Sequence, residues 1–155
     1  MKSINASFEK VIDLMGRLDF FDEFGYMDKL AVVEKKGAIL VAEQNELIIK
    51  AHSSDSHLYI PLSGELKVSL FQENNTEIIL AKVLPGDMVG EIAFLTGAIR
   101  TANVIAVEKT ILFRCSRQVL NSLSPSAREK IKDLIITKLV RRLQENNELM
   151  ASVKI

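Results

Sequence analysis

Between Ala38 and Ser116 the chain reads as short Val-, Ile- and Leu-rich segments, each cut off by residues that turn the backbone. The segments are Ile39 to Val41, Leu47 to Ile49, Leu58 to Leu62, Leu66 to Phe71, Ile78 to Leu84, Ala102 to Val107 and Ile111 to Arg114. The breaks carry Ser53-Ser54-Asp55-Ser56, Ser63-Gly64, Glu73-Asn74-Asn75 and Pro85-Gly86-Asp87, all residues with turn chemistry. Short strands recurring at intervals of about 8–12 residues predict an all-β sandwich, roll or barrel. Leu66, Val68 and Leu70 alternate with Lys67, Ser69 and Phe71, so that strand is expected to have one wetter face. Pro61 lacks a backbone N–H for the ladder and belongs at an edge or a bulge.

Helical periodicity flanks this region. Phe8, Val11, Ile12, Met15 and Leu18 recur at three- and four-residue steps. Phe20, Phe21 and Phe24 follow and should tuck the helical part against the rest. A second short helix is expected around Met27 to Val33, with Gly37 ending it. After Pro125, with Ser124 or Ser126 as the cap, Ala127, Ile131, Leu134, Ile135, Leu139, Leu143, Leu149 and Met150 trace an apolar stripe. The stripe is expected to cover the strands, with its outer part free to pair with a second copy. Lys138, Arg141 and Arg142 read as the solvated face of that helix. The resulting layout is one domain over residues 1–155: a helical part over 1–36, the strands over 37–116 and C-terminal helices over 117–155.

Composition narrows the function. A chain of 155 residues, 48% hydrophobic, suits one core and leaves no room for a second, catalytic domain. Lys and Arg total 20, as do Asp and Glu, so no overall field draws the protein to nucleic acid or an anionic membrane. The N-terminal residues lack a secretory pattern. No apolar run approaches the roughly 20 residues that cross a bilayer. The single cysteine, Cys115, precludes an internal disulfide, fits a reducing cytoplasm, and lies in an apolar run that suits a buried structural thiol. His52 and His57, five positions apart, would face opposite sides of a strand and read as turn or surface residues. No metal-ligand set, Cys/His pair, nucleophile elbow or paired-acid constellation is evident, so neither an enzyme nor a bound cofactor is expected.

The chemistry concentrates in residues 86–102, from Gly86 to Ala102. Gly90 lets backbone approach a ligand closely, and a helical turn from Ile92 to Leu95 would present unpaired amide N–H groups to a phosphate. Arg100 supplies a planar fork of donors that matches phosphate oxygens. A carboxylate beside a phosphate is repelled by it, so Glu91 makes sense as an acceptor for sugar hydroxyls, pairing partly with Arg100. Hydroxyl, phosphate and arginine together suggest a nucleotide.

With Gly90-Glu91-Ile92-Ala93 and Arg100-Thr101-Ala102 in place, the sequence resembles the cyclic nucleotide-binding domain family of catabolite activators, kinase regulatory subunits and gated channels. Leu58-Tyr59-Ile60 with Leu62 to Val68 is similar to the family's strand-turn-strand, and Leu84-Pro85-Gly86-Asp87 to its turn before the phosphate-binding cassette. The resemblance implies an antiparallel β-roll with N-terminal helices and a long C-terminal helix. It implies a cyclic mononucleotide ligand, cAMP or cGMP, with Glu91 on the ribose 2′-hydroxyl and Arg100 on the phosphate. The amides of Ile92 and Ala93 would help hold the phosphate, Gly90 would permit close approach, and Thr101 would reach phosphate or base without fixing the purine. Ile99 stands where the family usually has proline, and Ala51-His52 where many members have glycine. The implied output is movement of the C-terminal helix, read by a downstream effector. A family member that keeps the fold without the ligand, acting as an interaction or dimerisation domain, is the alternative. Catabolite activators add a helix-turn-helix, and with the chain ending at Ile155 no direct DNA binding is expected.

Overall fold

The computed structural model describes residues 1–4 and 7–153. Asn5, Ala6, Lys154 and Ile155, which fall within the 1–36 and 117–155 ranges, lie outside the described residues. The turn-punctuated apolar segments form eight antiparallel strands in two four-stranded sheets. One sheet runs β1 (Lys2–Ser3), β2 (Ile39–Ala42), β8 (Thr110–Cys115), β4 (Leu58–Ser63). The other runs β3 (Leu47–Ile49), β7 (Asn103–Ala106), β5 (Leu66–Phe71), β6 (Glu77–Val83). Only β1 has no counterpart among the sequence segments; Lys2 and Ser3 are polar and pair with Val41 and Leu40.

Strands β2, β8 and β4 of the first sheet are buried on both faces, which explains why β4 and β8 read as nearly continuous apolar runs. Leu40, Tyr59 and Leu112 point toward the second sheet, in a core with Leu66, Val104 and Ala106. Their neighbours in sequence, Ile39, Leu58, Ile60, Phe113 and Cys115, point the other way into the helices. Pro61 lies on β4, the edge strand, and the register against β8 shifts between Pro61 and Ser63. The alternation expected in β5 does not hold. The register against β6 slips between Val68 and Ser69, and Ser69 is buried while Lys67 and Leu70 are half-buried. The extra residue is Leu80 of β6, which stands between the partners of Val68 and Ser69. Gly64, at φ 91°, lies where a side chain would run into Thr110 and the Lys109 carbonyl.

Helix α1 (Phe8–Gly16) is capped by Ser7, and a 3₁₀ turn (Asp19–Phe21) follows it. Phe21 then meets Phe20 and Phe24 edge-on and packs against Phe113 of β8 at a tilt. Helix α2 (Tyr26–Glu34) ends before Gly37, at φ 81°. After β8, Ser116 caps α4 (Arg117–Ser122), accepting from Val119 N–H at 3.1 Å. Ser124 then caps α5 (Pro125–Val153), accepting from Ala127 N–H at 3.3 Å. The Ser124 hydroxyl and backbone N–H donate to Asp28 at 2.6 and 2.8 Å, pinning the start of α5 to α2. Burial raises the Asp28 carboxyl, but hydrogen bonds from Ser124 and from Gly25 N–H outweigh it and hold it below its usual value.

The apolar stripe of α5 is used unevenly. Ala127, Ile131 and Ile135 are buried, Leu134 and Leu139 half-buried, and Leu143, Leu149 and Met150 exposed. No helix among the described residues is long and apolar enough to cross a membrane. No cluster of three or more metal-ligating side chains occurs among them either.

Candidate functional site

The cassette is built from the turn before it. Tyr59 and Val89 exchange backbone hydrogen bonds at 3.0 and 2.9 Å, and Gly86 N–H donates to Pro61 at 3.0 Å. These bonds fix the residues leading to Gly90, whose φ of 91° starts helix α3 (Glu91–Thr96). The first backbone bond of α3 is Phe94 N–H to the Gly90 carbonyl, so the amides of Ile92 and Ala93 precede it. Arg117 of α4 steadies α3 from behind, donating to the Phe94 and Leu95 carbonyls at 3.3 Å with its guanidinium over the Phe94 ring.

Arg100 is 5% exposed. Its guanidinium donates to the Gly90 carbonyl at 3.0 Å, to the His57 carbonyl, and to Asp55 Oδ2 at 3.1 Å. Its Nε–H is buried with no partner among the described residues. Its backbone is clamped as well: Arg100 N–H donates to Ser53 at 2.9 Å and His52 N–H to Arg100 at 2.8 Å. His52 sits at φ 70°, so it takes the left-handed conformation that glycine ordinarily supplies. Gly90 serves the arginine directly. A Cβ at position 90 would come within 2.5 Å of the Arg100 guanidinium and 3.0 Å of the His57 carbonyl.

Asp55 is the residue that sequence reasoning passed over as part of a turn. It accepts from Arg100, from His57 N–H at 3.1 Å and from the Tyr59 hydroxyl at 3.1 Å, and lies 2.6 Å from His57 Nδ1. Burial raises the Asp55 carboxyl, but the His57 and Arg100 contacts more than offset it and hold it below its usual value. Burial, with the Asp55 charge beside it, pushes the Tyr59 hydroxyl up to about 12.

Glu91 is 3% exposed and does not pair with Arg100. Its partners come from α5: Arg142 Nη1 at 2.6 Å from Oε1 and Lys138 Nζ at 3.6 Å from Oε2. Lys138 also donates to the Met88 carbonyl. The reading of Lys138, Arg141 and Arg142 as a solvated face is therefore corrected for Lys138 and Arg142, which pair with Glu91, while Arg141 is exposed as expected. All three line a cavity of about 610 Å³ together with Gly90, Glu91, Ile92, Ala93, Arg100 and Thr101. A buried carboxylate needs compensating charge, and the basic side of α5 supplies it. Burial lowers the pKa of Lys138; the attraction of Glu91 opposes this and the nearby Arg142 adds to it, leaving it below its usual value.

All six residues singled out from the sequence thus meet at one cavity, walled by the cassette, β6, β7 and α5. Ile99, in place of proline, is 61% exposed and leaves the Arg100 backbone clamp intact.

The β-roll thus places a buried arginine and a buried glutamate beside one short helix, at the wall of a single cavity. The model of the cyclic nucleotide-binding domain matches residues 39–125, and the chain belongs to that family. In structure it is similar to a cyclic nucleotide-binding domain from Methylobacillus flagellatus, with 20% identity and a TM-score of 0.68 over 96% of this chain and 84% of that one. It is also similar to the regulatory domain of Toxoplasma gondii PKA crystallised with cAMP (26% identity, TM-score 0.59), covering 83% of this chain and 49% of that one. A regulatory subunit of a cAMP-independent protein kinase A from Trypanosoma brucei is similar too (22% identity, TM-score 0.63, 95% of this chain and 52% of that one). Comparison with curated protein sequences finds no match.

Proposed function

We propose that the chain is a sensor that binds a cyclic mononucleotide, cAMP or cGMP, and couples binding to the packing of α5. The cyclic phosphate is held by the Ile92 and Ala93 amides and by Arg100, which has unused donors including the partnerless Nε–H. The ribose 2′-hydroxyl donates to Glu91, and Thr101 lies beside the phosphate or base. No catalytic group and no cofactor has a part in this reading, and the setting is the cytoplasm of the cell.

The observation that carries the reading is the double engagement of Glu91. The carboxylate assigned to the ribose is the one that Arg142 and Lys138 of α5 hold. A hydroxyl arriving at Glu91 redistributes those contacts, so ligand and helix share one acceptor. The shift in α5 is then limited by the ligand's different affinity for the two arrangements. The cAMP-bound relative from Toxoplasma supports the ligand class.

The reading is tested by thermal unfolding with and without cAMP and cGMP, followed by calorimetric titration. A ligand at 100 times its dissociation constant adds about 2.7 kcal/mol of stability. Arg100→Ala should weaken binding by about 2–5 kcal/mol. Equal affinity in that variant would show the site assignment to be wrong.

A second reading is an interaction domain without ligand, and the same Glu91 contacts favour it, since α5 already satisfies the carboxylate. It predicts no thermal shift with either nucleotide. Both readings accommodate a second copy of the chain. Ile136, Val140, Leu143 and Met150 are exposed at heptad spacing, with Asn147 completing the seam, the pattern of a two-stranded coiled coil. Such a dimer, or an effector docked on α5, would receive the signal; direct DNA or membrane binding has no part in it.

A further inference from the structure

Two cations in the cavity wall have no task in holding phosphate or ribose. Lys82 of β6 and Arg141 of α5 both line the cavity, and among the described residues neither forms a hydrogen bond or an ion pair. The other basic residues there are committed. Arg100 is turned to Asp55, Gly90 and His57, while Lys138 and Arg142 meet at Glu91. With the phosphate on Arg100 and the ribose on Glu91, the part of the ligand left to meet Lys82 and Arg141 is the base.

Lysine and arginine side chains only donate hydrogen bonds. Guanine presents two adjacent acceptors, O6 and N7, and arginine or lysine on that pair is the commonest specific contact to a base. Adenine places its N6 amine between its acceptors N7 and N1, so Lys82 and Arg141 meet a donor there. Glu145 also lines the cavity, one turn along α5 from Arg141. As an acceptor it serves N–H groups of either purine and so does not choose between them. Asp87 accepts from Leu84 N–H at 3.2 Å within its own turn.

We infer that this cavity selects a 6-oxopurine, so that the ligand is the guanine cyclic nucleotide, with Arg141 and Lys82 as the residues that determine specificity. The inference rests on the cyclic-nucleotide reading above and deepens it.

The test is calorimetric titration of the full chain with cGMP, cAMP and the inosine analogue cIMP, which has the 6-oxo group but no 2-amino group. The expected result is that cGMP and cIMP bind comparably, and each about tenfold or more tighter than cAMP. In the double variant Arg141→Ala, Lys82→Ala the ratio of cAMP to cGMP dissociation constants should collapse toward one. A ratio is the appropriate readout, because losing two cations weakens every anionic ligand alike. Both side chains are exposed, so the variant should unfold at the wild-type temperature.

Preference for cAMP or equal binding overturns the inference, as does a gap that survives in the double variant. A cGMP affinity far above that of cIMP also overturns it, since selection would then run through the 2-amino group. Binding of none of the three overturns the cyclic-nucleotide reading itself, a result distinct from loss of selectivity.

Discussion

Arg142 Nη1 lies 2.6 Å from Glu91 Oε1, joining α5 to the cassette across 51 positions of sequence. Because the same carboxylate is assigned to the ribose in the proposed function, Arg142 would compete with the ligand. Arg142→Ala should therefore bind cyclic nucleotide more tightly than wild type, since a competing internal contact lowers apparent affinity. It should also melt earlier, with Glu91 left to Lys138 alone. Titration calorimetry and thermal melts on one preparation measure both effects; unchanged affinity would mean that Arg142 and the ligand do not meet.

Asp55 positions Arg100. Asp55→Ala leaves a buried guanidinium without its carboxylate and should cost about 2–5 kcal/mol of stability. Ligand should restore part of this loss by supplying a replacement anion, so the thermal shift on adding nucleotide should be larger than in wild type. A shift no larger than the wild-type value would count against Arg100 as the phosphate contact.

Gly90 and Gly97 form a matched pair. Both have left-handed backbone, at φ 91° and 72°, but a Cβ at 97 meets open space while one at 90 meets the Arg100 guanidinium. Gly97→Ala should cost only the backbone penalty of about 1–2 kcal/mol. Gly90→Ala should cost more and should also weaken nucleotide binding. Chemical denaturation of the two variants separates strain from displacement of the arginine.

Acid should unfold the protein through Asp28 and Asp55. Both carboxyls sit below the ordinary value of 3.8 in the folded protein, so folding favours their charged forms. The stabilisation is complete above that value and is lost as pH falls through the folded pKa of each group. Asp28→Asn should be less stable than wild type at neutral pH and should lose less on acidification. Melting temperatures across the acid range show this as a shallower slope.

On the exposed half of α5, Val140→Glu should abolish any dimer and leave nucleotide affinity intact, because its neighbours in the seam face away from the folded core. Light scattering coupled to gel filtration reads the mass. A wild-type protein that is monomeric at high concentration would remove the coiled-coil pairing.

The strands were legible because short apolar segments are cut off by residues with turn chemistry. Pro61 announced the edge of β4 through its missing N–H, and Gly90, Glu91, Arg100 and Thr101 stood out through their resemblance to the family's cassette. What escaped was long-range polar pairing. Asp55 lies 45 positions from Arg100 and looked like one more turn residue. Lys138 and Arg142 looked solvated because a helical stripe shows which side is apolar, not that the polar side will cover a buried acid. The bulge at Leu80 of β6 left no mark either, since a single extra residue changes no composition.

Asp28 and Ser124 act as a hinge pin at one end of α5, while Arg142 rests on the cassette farther along. At about 1.5 Å per residue, the pin-to-cassette span is roughly 26 Å and the helix continues to roughly 42 Å from the pin. If α5 moves with the ligand as proposed, a small tilt at the cassette would be multiplied toward Val153, and α5 would act as a lever arm whose short stroke at the site becomes a longer one at its far end.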